Sequence, residues 1–363
     1  MPEIAPLVSL DPARFDRPDI LKKLATASRQ LAELKGVAAS MPNQGILIST
    51  LALQEAKDSS AIENIVTTHD ELFRNAAALD ASVSAATKEV TRYRQALAVG
   101  FEAVRTTGLL TNNHILQIQA ELEHNSAGWR RLPGTTLQGR GGNVVYVPPQ
   151  DLATIQRLMG DLEQFINVDD LYPVDPLIKM ALIHHQFESI HPFYDGNGRT
   201  GRIINVLYLA KTRLLEIPVL YASRYIVRHK SDYYRLLQAV RQEGAWEDWV
   251  LYMLQAVEQT SIDAIETIQQ IKTLLLKTKH EIRAKLPRIY SQDLINNLFS
   301  HPYTKIEFVE RDLAVSRVTA ARYLDLLTGA GFLRKEKIGR SNYYANIPLY
   351  DILTADRMQG GED

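Results

Sequence analysis

The sequence predicts a mainly α-helical protein, a helical bundle with one β-hairpin, followed by a C-terminal winged helix-turn-helix. Three observations carry this. Apolar residues recur at three- and four-residue spacing along most of the 363 residues, the pattern of helices with one buried face. A single interval, residues 134–149, breaks it with four glycines and then the β-branched run Val144-Val145-Tyr146-Val147, closed by Pro148-Pro149. Beyond Pro287, three short helical segments are followed by two strand-like runs around Gly339-Arg340-Ser341-Asn342.

In chain order, Ile20, Leu21, Leu24, Ala27, Leu31 and Leu34 mark a first amphipathic helix. Residues 46–56 are a second apolar segment, followed by the polar Lys57-Asp58-Ser59-Ser60. Residues 80–105 and 111–122 read as helices, the latter opened by Thr111 as cap. Asp175 caps a further helix with Pro176 in its first position, where the missing N–H costs nothing. A long Lys-rich helix over residues 260–286 stops at Pro287. After it come helical stretches at 291–299, 306–313 and 316–327, and then the ribbon of 332–347. The expected organisation is an N-terminal helical region (1–90), a central domain (91–259), a linking helix (260–287) and a C-terminal domain (288–363).

Composition narrows the function. Hydrophobic residues make up 45% and charged residues 23%, enough for a large core. The formal net charge of −1 gives no whole-protein attraction to nucleic acid or anionic membrane, so any such role needs a local patch. With no cysteine there are no disulfides, thiolate zinc sites or thiol nucleophiles. The start, Met1-Pro2-Glu3-Ile4-Ala5-Pro6, has no basic stretch leading into an apolar one, and no segment approaches the roughly 20 apolar residues of a membrane span. The expectation is a cytoplasmic protein without membrane association.

Chemistry concentrates in His191-Pro192-Phe193-Tyr194-Asp195-Gly196-Asn197-Gly198-Arg199-Thr200-Gly201-Arg202. A glycine-bearing turn running into an apolar helix offers successive N–H groups and a helix N-terminus, both suited to anions. Arg199 and Arg202 add charge that forks onto phosphate oxygens. His191 supplies an imidazole suited to general-base work, and Asp195 a hard oxygen ligand of the kind Mg²⁺ takes beside phosphates. Taken singly, Gly-Asn-Gly is more often a tight turn, and a His before Pro more often structural; within twelve residues they describe a nucleoside triphosphate site with a base beside it.

This segment resembles the signature of the Fic-domain family, His-Pro-Phe-x-Asp/Glu-Gly-Asn-Gly-Arg-x-x-Arg, at every defined position. The resemblance covers roughly residues 91–253 and implies a protein adenylyltransferase, in which a target hydroxyl attacks the α-phosphate of ATP and pyrophosphate leaves. It implies that His191 takes the proton, that Asp195 holds Mg²⁺ against the phosphates, that Gly196, Asn197 and Gly198 form the anion hole, and that Arg199 and Arg202 bind the outer phosphates. Phe193 would anchor the loop in the core and Pro192 would aim the imidazole. The hairpin, with Gly142, Asn143, Val144, Val145 and Tyr146, resembles the family's flap, which pairs with the target backbone; outside that context it reads as a surface hairpin. Tyr233 and Tyr234, with His229, are candidates for the adenine side of the site, although paired helical tyrosines are also commonly half core and half surface.

Upstream, Ser59-Ser60-Ala61-Ile62-Glu63-Asn64 resembles the family's inhibitory pattern Ser/Thr-x-x-x-Glu-Gly/Asn. Alone it reads as a helix start capped by Ser59 or Ser60. The resemblance implies that Glu63 reaches Arg202 and takes the place of the γ-phosphate, with Ser59 and Asn64 completing the motif. A carboxylate about 4 Å from a phosphate charge costs on the order of 4 kcal/mol at an effective dielectric near 20.

In the C-terminal domain, residues 288–350 hold nine Lys/Arg against six Asp/Glu, only mildly basic. If the module binds DNA, Ser316, Arg317, Thr319 and Arg322 enter the major groove and Arg340 lies on the wing near phosphate; a protein-interaction or dimerisation role is the alternative. The expected function is thus an ATP- and Mg²⁺-dependent adenylyltransferase acting on Ser, Thr or Tyr of target proteins or of itself, restrained by Glu63. The alternatives are a nucleotide-sensing DNA-binding regulator and an enzyme that removes AMP. A homodimer fits the family.

Overall fold

The computed structural model describes residues 4–76, 84–139, 141–338 and 341–355. Its helices and strands follow in the order α1 Pro18–Ala39, α2 Gly45–Ile62, α3 His69–Ala76, α4 Ala85–Thr107, α5 Asn112–Glu123, β1 Leu137–Gln138, β2 Val144–Tyr146, α6 Leu152–Asn167, α7 Pro176–Ile190, α8 Asn197–Lys211, α9 Ser223–Arg228, α10 Lys230–Glu243 and α11 Trp246–Lys285. Then come α12 Gln292–Ser300, β3 Tyr303–Thr304, α13 Ile306–Leu313, α14 Arg317–Gly329, β4 Arg334–Ile338, β5 Ser341–Ala345 and α15 Ile347–Thr354. The architecture is mainly helical with small antiparallel sheets. No helix among the described residues is long and apolar enough to cross a membrane. Packing divides the chain into two compact units: Met1–Gly36 with Glu55–Val66 and Glu89–Asp263, and Val37–Gln54 with Thr67–Lys88 and Ala264–Asp363.

The first unit is built around α7 and α8. Apolar residues surround α7 on all sides, so every residue from Leu177 to Ile190 is buried, as expected of a helix with no solvent face. Asp175 accepts from the Leu177 N–H at 2.8 Å and Pro176 opens the helix, which fixes its start. Helix α8 packs on α7 and α5. Helix α4 approaches closely enough that a Cβ on Gly100 would lie 2.6 Å from Leu207 and 2.8 Å from Ile118, so glycine is what lets these helices meet. Several polar groups in this core are bonded: Trp249 Nε1 donates to the Ala181 carbonyl at 2.8 Å, and His184 lies between Asn205 Nδ2 at 3.1 Å and the Tyr233 hydroxyl at 2.9 Å. Burial, with the Arg202 charge adding to it, pushes the His184 imidazole down to about 3, so it is a neutral core residue.

Residues 134–149 form the expected hairpin, with β1 antiparallel to β2 and Leu137 opposite Tyr146. Gly141 (φ +108°) and Gly142 (φ +79°) make the turn, a conformation open to glycine at little cost. In the second unit, α12, α13 and α14 pack in sequence, followed by a three-stranded sheet in the order β3-β5-β4. Ser316 caps α14, accepting from the Thr319 N–H at 3.3 Å.

Three local expectations change; the helix expected over residues 260–286 is the later part of α11, which starts at Trp246. The polar stretch Lys57-Asp58-Ser59-Ser60 does not interrupt the second helix: α2 runs through it to Ile62, and Ser59 and Ser60 are fully buried in its last turns rather than capping a new start. The helix expected from residue 80 begins at Ala85, residues 80–83 lying outside those described.

Candidate active site

The catalytic-type residues sit where α7 ends and α8 begins. His191 caps α7 in the left-handed conformation (φ +49°), its N–H donating to the Phe187 carbonyl at 2.9 Å. Phe193 is buried and stacks on Trp129 at 4.8 Å between ring centroids, the core anchor that sets the depth of the loop. Asn197 clips the turn shut: its Oδ1 accepts from the Phe193 N–H and its Nδ2 donates to the Phe193 carbonyl, both at 2.9 Å. The Asn197 side chain therefore shapes the loop, and only its backbone N–H is left for a ligand.

Gly196 precedes α8 at φ +78°, a conformation that favours glycine, and a Cβ there would press on the Glu123 carboxylate at 2.5 Å. The first bond of α8 runs from Thr200 N–H to the Gly196 carbonyl at 2.9 Å. The N–H groups of Asn197, Gly198 and Arg199 thus lack intrahelical acceptors, as in the first turn of any helix, and form an anion-binding end.

Arg202 projects from the next turn and is buried. Its Nε donates to Ser59 Oγ at 2.7 Å, and its Nη2 donates to the Ser59 carbonyl at 3.0 Å and to Glu63 Oε1 at 2.9 Å. The end of α2 makes this possible. Ile65 N–H bonds back to the Ser60 carbonyl and Asn64 N–H to Ala61, with Asn64 left-handed at φ +63°: a Schellman stop, in which Asn or Gly is favoured. It turns the chain so that Glu63 lies against Gly198, where an added Cβ would collide with the carboxylate. Lys230 Nζ holds Asn64 Oδ1 at 3.0 Å. Burial opposes charge on Glu63, but Arg202, with smaller help from Arg199 and Lys230, outweighs it and holds the carboxyl below its usual range.

Arg199 is also buried and already paired, with Glu89 at 3.0 Å and Glu123 at 2.9 Å; Asp195 is 3.9 Å away. Asp195 itself is exposed, with Oδ1 accepting from the Gly196 N–H at 2.7 Å. No group of three or more His, Asp or Glu among the described residues could hold a metal alone. One hard carboxylate could hold Mg²⁺ only where phosphates and water supply the remaining oxygens.

The His191 imidazole is pushed down to about 4, first by burial and then by the charges of Arg130 and Arg241, with Glu63 acting the other way. It is neutral at pH 7 and free to accept a proton. Of the tyrosine pair, Tyr233 is core, bonded to His184, whereas Tyr234 is partly exposed and close enough to Glu63 and Arg202 for both charges to act on its phenol. His229 stacks on Tyr225 at 4.1 Å, its Nδ1 on the Tyr225 carbonyl at 3.0 Å. The hairpin exposes Val144 and Val145, and Tyr146 donates its hydroxyl to the Ser189 carbonyl at 3.0 Å under the Arg241 guanidinium. Gly142 and Asn143 are exposed in the turn.

Sequence reasoning missed Glu89, Glu123, Arg130 and Lys230, which lie outside both motifs and hold motif residues in place. It also missed Glu55, buried on the same face of α2 as Ser59 and bonded to Tyr93 at 2.9 Å.

Three family models match the chain: the Fic/DOC family N-terminal region over residues 21–102, the Fic/DOC family over 109–209, and the C-terminal domain of SoFic-like protein adenylyltransferases over 274–349. The chain belongs to the Fic/DOC family. Curated relatives of this Fic protein include the protein adenylyltransferases Fic of Drosophila erecta (30% identical over 46% of this chain and 34% of the relative) and Culex quinquefasciatus (33% over 32% and 21%). The chain spans about a third or less of the length of those relatives. Among solved structures, a Fic family protein from Desulfovibrio desulfuricans G20 matches at TM-score 0.59 and 20% identity, over 91% of this chain and 96% of that one. Fic-1 (residues 134–508) from C. elegans matches at 0.55 and 18%, over 69% and 74%. At these identities both speak for the fold alone.

In the second unit, Arg317 donates to Glu307 at 2.7 Å, and the Ser316 and Thr319 hydroxyls bond each other at 3.0 Å. Arg322 lies over the Tyr323 ring at 5.9 Å. Arg340, the expected wing contact, lies outside the described residues.

Proposed function

We propose that this Fic protein is a protein adenylyltransferase held in check by its own Glu63. The observation that carries the reading is the meeting, at one turn, of a neutral His191 and the open N-terminus of α8, with Arg202 on the next turn of the helix. ATP would lie with its phosphates on the N–H groups of Asn197, Gly198 and Arg199, its γ-phosphate at Arg202 and its adenine toward Tyr234. Asp195 would hold Mg²⁺, which neutralises phosphate charge when bound. A Ser, Thr or Tyr hydroxyl of the target, delivered along the hairpin, attacks the α-phosphorus; its proton passes to His191, the new P–O bond forms, and the bond to the β-phosphate oxygen breaks to release pyrophosphate. The protein groups position and stabilise charge, which is where phosphoryl-type catalysis gains most.

In the resting arrangement Glu63 occupies Arg202 and crowds Gly198, so a productively placed γ-phosphate must displace it. The test is incubation of the purified protein and its Glu63→Gly variant with α-labelled ATP, Mg²⁺ and lysate. Label on protein, stronger with the variant, supports the reading; none with either removes it. A second reading, removal of AMP, draws on the ionised state of Glu63 beside the site, which suits it to orient a water; release of AMP from labelled protein by the parent, lost in Glu63→Gly, would favour it.

For residues 288–349 we propose a winged helix used for docking protein rather than DNA. Arg317 pairs with Glu307, Arg334 with Glu336 and Lys335 with Asp325, which offsets part of the positive charge that DNA phosphates would need. Salt-sensitive binding to mixed-sequence DNA that weakens in Arg317→Ala would reverse this.

A further inference from the structure

Arg130 stands outside both motifs, yet it is among the largest fully buried side chains of the protein. Its Nε donates to the His191 carbonyl at 2.8 Å, its Nη2 donates to the Pro149 carbonyl, and its backbone N–H donates to the Pro192 carbonyl at 2.9 Å. One residue thereby joins the chain entering the hairpin, the chain leaving it and the left-handed cap that carries the imidazole. Among the described residues no carboxylate pairs with this guanidinium, and its Nη1 is buried without an acceptor. Keeping a cation out of water on carbonyl dipoles alone is costly. A purely mechanical joint between hairpin and helix would not call for a charge there.

We infer that Arg130 is a positioning residue, which fastens the base of the hairpin to the backbone of His191 and sets its positive charge beside the imidazole. The inference rests on the reading of His191 as the base. Two consequences follow from the geometry. The first is mechanical: because the same guanidinium holds Pro149 and His191, the hairpin that would present a target hydroxyl and the ring that would receive its proton share one anchor. The left-handed backbone at His191, uncommon for a non-glycine residue, is held by this bond on its carbonyl. The second is electrostatic. The charged groups facing His191 are Arg130 from the segment before β1, Arg241 on α10 and Glu63 beyond α2, with the buried Glu188 one turn back on α7. After burial, the Arg130 charge is the largest influence against protonation of the ring. Removing it makes the imidazolium easier to form.

The test uses the full chain carrying Glu63→Gly, with Arg130→Gln and Arg130→Lys added separately. The His191 ring is titrated by NMR, its signal among the nine histidines identified by its loss in His191→Ala, and amide exchange is followed at 137–138 and 144–146. Arg130→Gln is expected to raise the midpoint of His191 by about 1 pH unit and to speed hairpin exchange at least tenfold. Arg130→Lys, which keeps the charge but not the fork, is expected to leave the midpoint in place and still speed exchange. An unmoved His191 midpoint in Arg130→Gln, or hairpin exchange at the parent rate in Arg130→Lys, overturns the inference. Should Arg130→Gln fail to fold, the exchange rate in Arg130→Lys decides alone. A Glu63→Gly chain that transfers no AMP would sink the transferase reading while leaving both NMR outcomes intact, so the two failures are told apart.

Discussion

Glu63 Oε1 lies 2.9 Å from Arg202 Nη2, and the same arginine is held by the hydroxyl and carbonyl of Ser59, one helical turn earlier on the chain. The last turn of α2 and the residue beyond it thus close around a single guanidinium. Helix C-termini favour such a cation, since their free carbonyls carry partial negative charge. The Glu63–Arg202 contact is therefore more than an ion pair, and loss of the carboxylate alone leaves Arg202 positioned by Ser59.

From this, Glu63→Gly is expected to raise AMP transfer without unfolding the site. The full Coulomb cost of a carboxylate beside a phosphate, about 4 kcal/mol at an effective dielectric near 20, corresponds to roughly 10³ in productive binding. A third of the Glu63 side chain remains in solvent, and screening brings the expected gain toward ~10². Initial rates of label transfer measure it; a gain below threefold would count against the brake.

Ser59→Ala tests the other half of the grip. It removes the acceptor of Arg202 Nε inside the protein, where an unsatisfied donor costs about 1–3 kcal/mol. Stability in urea should fall by that order. Transfer by a Ser59→Ala/Glu63→Gly double variant should lie below that of Glu63→Gly, because Arg202 is then held by the residue-59 carbonyl alone. Equal rates would show that Ser59 has no part in orienting Arg202.

Much of this site was legible before the structure. The loop from His191 to Arg202 packs imidazole, nest and arginines into one continuous stretch, and the short pattern around Glu63 gains its meaning beside it. Helix starts at Thr111 and Asp175 were equally plain, because capping is local chemistry. What could not be read is what depends on distant packing. Nothing near Glu89 or Glu123 in sequence says that they neutralise Arg199, and nothing at Arg130 says that it reaches Pro149 and His191. Tyr233 and Tyr234 are adjacent, so their local sequence hardly tells them apart; packing does, with Tyr233 buried on His184 and Tyr234 exposed. Outside the family pattern Ser59 reads as a cap; the structure instead continues the buried face of α2 through Glu55 and Ser59, whose partners Tyr93, Arg202 and Ser223 come from α4, α8 and α9.

The proposed brake should not respond to mild acid. Glu63 has a folded-state pKa below its ordinary value, so its contribution is complete above the ordinary value and is lost only as pH falls through the lower one. His191, at about 4, is unprotonated over the same range. The ratio of Glu63→Gly to parent activity should be constant between pH 5.5 and 8, within about twofold. A ratio that collapses toward one near pH 6 would mean that another group controls the contact.

Glu188 gives the opposite sign. It is buried on α7 with Oε1 unpartnered, and burial raises its carboxyl from 4.5 to about 7, against the pull of Arg202 and Arg241 and with Glu63 adding to the rise. The folded protein then holds a proton that the unfolded chain has released, so stability is full below about pH 4.5 and falls as pH rises through about 7. The total loss is at most on the order of 3 kcal/mol. Glu55 on α2, also raised to about 7, contributes a loss of the same sign. Glu188→Gln keeps the shape of the neutral acid and removes its titration, so it should flatten the decline between pH 5 and 8 by about half, the remainder belonging to Glu55. Urea midpoints at pH 5, 6, 7 and 8 for parent, Glu188→Gln and Glu55→Gln measure the slopes; a Glu188→Gln slope identical to the parent's would show that Glu188 is ionised in the folded state, paired with Arg202 or Arg241.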